Sequence, residues 1–390
     1  MTLIACTINA IENYPIITGD LLLSSNAGKK ATLIPTILGY FSKFFTPKNN
    51  YHPSSLAQKI YIIKDNVCLA MAGNRREMRN FLEDFRIYCR SNASVDRNAI
   101  VNFLDNYPFK DVMCNSAFLI AVAEKRNKNK PNLFVITYPD DESPNGSWKI
   151  FRTKLFSEAY ACGTGSNTYV NLIRKLTLTN TKGFENPSWK SISDNILAIV
   201  QFLAIESVTL DFTISDLWGG GFEMIYYNGK TFEKLSEVAY VIHLGEYDDN
   251  GEIGYPAPKM ILYTKYHDDD LLITAIYLHK GIKNEEGDIV KMISKKEEYS
   301  IQTFAIAGID SPEASIKVNE LDLSFETETV AIGYAILNKN TNRTITLPQF
   351  SNANPNFKVI YKQENDLEIS IPKNILETLK TQGKESYQNL

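Results

Sequence analysis

The second residue of the chain is a threonine, at the head of Thr2-Leu3-Ile4-Ala5-Cys6-Thr7-Ile8. Removal of Met1 would leave its hydroxyl beside a free α-amine, and that pair is a nucleophile carrying its own base. An unperturbed α-amine has a pKa of roughly 7.7–8.0, so it is partly neutral near pH 7 and can take the hydroxyl proton. The chemistry would be acyl transfer, with the oxygen attacking a carbonyl carbon. Taken alone, a Met-Thr start before an apolar run equally describes an ordinary first strand. Five further features follow in order: Gly19-Asp20, Lys59, Ala72-Gly73, Gly163-Thr164-Gly165 and Asp216-Leu217-Trp218-Gly219-Gly220-Gly221. Singly, each reads as a strand end, a solvated strand residue or a turn.

Elements must bring these residues together. The pattern predicts strands at 2–8 and 14–19, and a hairpin of 59–63 with 66–72 turning at Lys64-Asp65-Asn66. Asn74 opens a helix whose apolar face is Met78, Phe81, Leu82, Phe85 and Cys89, a helical spacing. Ser94 is the expected cap of a second helix ending near Asn106, before Tyr107-Pro108. Strands are expected at 116–124, 132–138, 148–152 and 158–162. Helices follow at about 166–178 and 189–208, then strands at 222–227 and 231–235. Such blocks suggest sheets packed on each other with helices outside.

From about 240 the pattern becomes β-rich. Leu321–Phe325 and Leu367–Ile371 alternate with period two, and turn clusters at 248–251 and 338–342 separate strands. The expectation is a division into 1–238 and 239–390, the second a sandwich-like β-rich accessory domain. It would end in a short helix near 373–381 and a polar, loose tail. Residues 21–58 read as an insertion, with an apolar, aromatic run at Ala31–Phe45 suited to burial or a subunit contact.

Bulk composition narrows the function classes. The chain has 390 residues and a net charge of −4, which gives no footprint for nucleic acid. Five cysteines lack CxxC spacing and lie mostly in apolar runs, as expected in a reducing, cytoplasmic setting. No signal peptide and no membrane span are expected; Ile196–Ile205 reads as a buried helix. The four histidines are isolated, and His267-Asp268-Asp269-Asp270 reads as a solvated turn rather than a metal site. There is no GxSxG elbow, P-loop or GxGxxG. No metal and no cofactor are expected.

Together the ordered features resemble the proteasome-type family of N-terminal-nucleophile (Ntn) hydrolases, which includes proteasome β subunits and bacterial ring-shaped threonine peptidases. The resemblance covers about residues 2–235, with threonine for serine at 164 and Gly219 where the family has serine. It implies an α+β fold, a four-layer αββα Ntn-hydrolase sandwich followed by the all-β sandwich-like C-terminal domain. It implies Thr2 as nucleophile, Lys59 as the charged neighbour that activates it and Asp20 as the anchor of that lysine. The Gly73 N–H would donate to the oxyanion, and Thr164 and Asp216 would position the amine or a water. Leu23, Ala57, Tyr61, Met71 and Arg75 would line an apolar pocket that prefers a large apolar residue. The function so implied is a threonine-type peptidase acting on a peptide or protein as a homo-oligomer, with any unfoldase or recruiting partner left open. The alternatives are an inactive proteasome-like scaffold or assembly protein, and an Ntn amidase acting on a small molecule.

Overall fold

A computed structural model describes residues 2–8, 15–26, 33–36, 51–108, 115–124, 132–138, 149–152, 158–179, 187–207, 213–247, 258–338, 343–363 and 366–388. Most of the apolar run at 31–45, all of the turn cluster at 248–251 and residues 339–342 of the other cluster lie outside the described residues. In chain order the first half comprises β1 (Ile4–Ile8), β2 (Pro15–Asp20), β3 (Leu22–Ser25), β4 (His52–Leu56), β5 (Ile60–Lys64), β6 (Val67–Gly73), α1 (Arg75–Ser91) and α2 (Arg97–Asp105). It continues with β7 (Ser116–Glu124), β8 (Asn132–Tyr138), β9 (Lys149–Arg152), β10 (Glu158–Cys162), α3 (Ser166–Thr179), α4 (Pro187–Glu206), β11 (Phe222–Tyr227) and β12 (Phe232–Lys234).

The fold is a mixture of helices and mostly antiparallel sheets, with residues 239–246 pairing parallel to 330–337. One five-stranded sheet runs β10-β1-β2-β11-β12 and a second runs β5-β6-β7-β8-β9, while β3 and β4 form a separate two-stranded ribbon. Strand alternation gives each sheet two apolar faces. Ile4, Cys6, Ile17 and Ile225 of the first sheet meet Cys68, Ala70, Leu119 and Val135 of the second. The outer face of the second sheet, through Leu69, Met71, Phe118 and Ile120, packs on α1 and α2.

The helix α1 forms where its spacing predicts. Asn74 caps it, its side chain accepting from Arg76 N at 2.9 Å, and Met78, Phe81, Leu82, Phe85 and Cys89 are all buried. The cap of α2 is Asp96 rather than Ser94: its carboxylate accepts from Ala99 N at 2.8 Å. Both residue types can cap a helix, and Asp96 is the one whose side chain meets the first-turn N–H.

The second half comprises β13 (Val238–Glu246), β14 (Met260–His267), β15 (Asp270–Leu278), β16 (Ile282–Glu286), β17 (Ile289–Ser294), β18 (Tyr299–Ile306), β19 (Phe325–Thr327), β20 (Val330–Asn338), β21 (Arg343–Ser351), β22 (Lys358–Tyr361), β23 (Leu367–Pro372) and α5 (Lys373–Gln388). A six-stranded sheet, β18-β15-β14-β13-β20-β21, faces a five-stranded one, β16-β17-β23-β22-β19. Val241, Ile261, Ile276 and Ile332 meet Val290, Met292, Val359 and Ile369 between them. Only the end of the alternating run 321–325 is strand. Residues 373–381 do form a helix, but it continues to Gln388 where a loose tail was expected. Leu376 and Leu379 anchor α5 to the core, and the polar residues beyond them extend it.

The change of architecture near 238 is not a break in the core. Ile196, Val200 and Leu203 of α4 share one apolar cluster with Ile16 and Met224 of the first sheet and with Tyr240, Leu262 and Ala331 of the six-stranded sheet. The helix is therefore buried on both sides, which explains its apolar run.

Candidate active site

Thr2 precedes β1, and its position is fixed by two neighbouring segments. Leu3 N donates to Asp20 Oδ1 at 2.8 Å while Asp20 N donates to Leu3 O at 3.0 Å, closing the β1–β2 register. Behind Thr2 lies Gly163, with φ +95°; a Cβ there would stand 2.0 Å from the Thr2 carbonyl oxygen. Only glycine allows that approach, which accounts for the first glycine of Gly163-Thr164-Gly165.

Lys59 lies between β4 and β5. Its carbonyl accepts from Met71 N at 3.0 Å, and its own N–H donates to the Glu223 carboxylate, which also accepts from Ile60 N at 3.0 Å. Held this way, the side chain reaches Asp20 at the end of β2. Nζ donates to Asp20 Oδ1 at 2.7 Å, to Leu22 O at 2.7 Å and to Thr2 Oγ1. All three ammonium hydrogens thus have acceptors. Thr2 Oγ1 in turn donates to Asp20 Oδ1, and Gly219 N donates to Asp20 Oδ2 at 3.0 Å.

The side chains of Lys59 and Asp20 are both 0 % exposed. Burial pulls the Lys59 ammonium below its ordinary range, and Asp20 acts against that pull. Burial pushes Glu223 up to about 7 and Glu206 up to about 8. It also pushes the thiols of Cys6 and Cys68 far up, so neither is an activated nucleophile.

Above Thr2 and Lys59 opens a cleft of about 760 Å³, which Gly73 also lines. Of the five residues expected to line an apolar pocket, Leu23 and Arg75 do so and Met78 joins them, but Ala57, Tyr61 and Met71 are buried away from it. Serines 24, 25, 54 and 55, Asn26, Asn74 and Asn115 supply much of the remaining wall, with Tyr51 and His52. No carboxylate is among the described lining residues. Thr164 and Asp216 do not line it; the Thr164 hydroxyl donates to the Asp216 carbonyl at 3.0 Å, tying two glycine-bearing segments together.

Residues of the second half reach this site. Gln58 N donates to Ala307 O at 2.9 Å, and its side chain donates to Ile306 O at 2.7 Å and Asp269 O at 2.8 Å. Tyr61 donates to Gln58 O at 3.1 Å and accepts from Ile309 N. Arg75 donates to Ser311 O at 3.0 Å. Segment 306–311 therefore covers Tyr61 and grips both sides of Lys59. Sequence reasoning missed this segment together with Glu206 and Glu223. A lone carboxylate in the strand Phe222–Tyr227, and another ending an otherwise uncharged stretch from Asn195, were the available signals.

Among the described residues no group of three or more His, Cys, Asp or Glu could hold a metal, and no helix is long and apolar enough to cross a membrane. No protein-family model matches the chain, and neither does any curated protein.

Proposed function

We propose that the chain is a threonine-type amide-bond hydrolase, a peptidase of the proteasome-like Ntn kind, with Thr2 as nucleophile once Met1 is removed. The observation that carries this reading is the meeting of Thr2 Oγ1, Asp20 and Lys59 at the floor of an open cleft. The succession of α1 and α2, two sheets, then α3 and α4 supports a four-layer αββα arrangement.

In this mechanism the freed α-amine takes the Thr2 hydroxyl proton as Oγ bonds to the substrate carbonyl carbon. The buried Lys59 ammonium favours the alkoxide and disfavours a second positive charge on the amine. The proton passes to the amide nitrogen as the C–N bond breaks, leaving an ester on Thr2. Water then hydrolyses the ester, giving the acid and restoring the hydroxyl. Gly73 at the cleft is the candidate oxyanion donor.

The test is covalent labelling. A peptide epoxyketone reacts with a hydroxyl and a free amine on the same residue. A chain released from an N-terminal fusion so that it starts at Thr2 is expected to gain one inhibitor mass, localised to Thr2. No adduct at saturating reagent would leave the scaffold alternative in its place.

The cleft wall also sets a substrate expectation. Hydroxyls, amides and the Arg75 guanidinium suit a polar or acidic side chain beside the reacting carbonyl better than a large apolar one. In fluorogenic peptides differing only at that residue, Gln or Glu should exceed Leu or Phe in kcat/KM by about fivefold or more. The reverse order would restore the apolar pocket.

A further inference from the structure

Gly219 stands where the proteasome-type pattern has a serine, and its surroundings show what replaces the missing side chain. Its φ is +99°, and a Cβ built on it would lie 1.9 Å from Glu206 Oε1. Glu206 ends α4 and is 2 % exposed, and among the described residues neither carboxyl oxygen has a hydrogen-bond partner of ordinary geometry. The Thr213 side chain and the Gly220 backbone lie beside it, and Asp20 is the titratable group that faces it. On the other side of the same glycine, Gly219 N donates to Asp20 Oδ2 at 3.0 Å.

We propose that Glu206 is a positioning residue of the Thr2 site: its carboxyl fills the space of a side chain at 219 and holds the Gly219 N–H on Asp20, and thereby Asp20 on Thr2 and Lys59. This rests on the threonine-hydrolase reading. Glu206 touches none of the reacting atoms and acts through Gly219.

The carboxyl also makes the arrangement sensitive to its ionisation. Burial pushes Glu206 up to about 8, so at neutral pH it is protonated and adds no charge beside Asp20. Once ionised, it is a buried carboxylate facing a second carboxylate, with only the Thr213 side chain and the Gly220 backbone beside it among the described residues to offset the charge. It must then move toward water, which releases Gly219 and loosens Asp20.

The experiment compares the pH dependence of hydrolysis for the wild type and Glu206→Gln, using the same fluorogenic peptide, with Thr2→Ala as control. Glutamine keeps the volume but has no proton to lose. The ratio of variant rate to wild-type rate is expected to rise about tenfold between pH 7 and pH 9. Titration of Lys59 affects both proteins and cancels in the ratio. A ratio that stays flat while hydrolysis remains Thr2-dependent overturns the role of Glu206 and leaves the nucleophile intact. Equal rates for wild type and Thr2→Ala overturn the threonine reading, and the role of Glu206 with it. Should Glu206→Gln fold poorly, Glu206→Met, also without a titrating proton, must show the same rise.

Discussion

Thr2→Ala, in a chain that starts at position 2, is expected to lose peptide hydrolysis by at least about a thousandfold, with the loss in kcat rather than KM. The substitution removes one oxygen, the atom that contacts both Lys59 and Asp20. The Lys59 ammonium, whose three hydrogens go to Thr2, Asp20 and Leu22, is in hydrogen-bond contact with no other described hydroxyl. Cys6 and Cys68 are fully buried with their thiols pushed up, and Ser54, on the cleft wall, already donates to Leu23 O at 3.1 Å. Thr2→Ser keeps hydroxyl and amine together and should retain measurable turnover. Progress curves on a fluorogenic peptide for the three proteins decide the matter, and equal rates for wild type and Thr2→Ala would end the proposed mechanism.

Asp20→Ala is expected to lower stability by about 3–5 kcal/mol and to abolish activity as well. The carboxylate accepts from Thr2 Oγ1, Leu3 N, Lys59 Nζ and Gly219 N, so its loss orphans several donors at once. The dominant cost is the Lys59 ammonium, left in a fully buried place with no opposite charge in contact. Lys59→Met removes that charge and keeps much of the volume. The double variant Asp20→Ala/Lys59→Met should therefore be more stable than Asp20→Ala alone, though inactive. Urea unfolding of the four proteins closes a double-mutant cycle. A loss below about 1 kcal/mol for Asp20→Ala would mean that the buried pair contributes far less than its burial implies.

The meeting of Thr2, Lys59 and Asp20 was legible because few residue types suit such a cluster: a hydroxyl, a cation and its anion, each beside a strand end or a glycine turn. Local spacing also served α1, where five apolar residues fell on the buried face. Of the pocket residues that the family resemblance implied, Tyr61 lies away from the cleft, because a resemblance says nothing of what covers a side chain. Tyr61 is covered by Ile309, 248 residues away in sequence, and no local pattern encodes that pairing. Glu206 was hidden for a related reason. A carboxylate at a helix end ordinarily reads as solvated, and its burial follows from Gly219 having no side chain. The extension of α5 escaped because periodicity reports an apolar face and falls silent where a helix turns polar.

The partners of the first residues also set an order of events during synthesis. Thr2 leaves the ribosome ahead of Asp20, Lys59 and Gly163, and Asp20 must wait for Gly219, 199 residues later. The strand that carries Asp20 gains its other neighbour only when residues 222–226 have been made, and Gln58 waits for Ile306. A nascent chain therefore carries its threonine with no lysine aligned and no cleft above it. On the threonine reading, excision of Met1 belongs to this early interval, because Thr2 is 2 % exposed once the fold closes. On the same reading, a threonine made early is completed only after Gly219 has been made, and that delay would keep an unfinished chain from cutting the proteins around it.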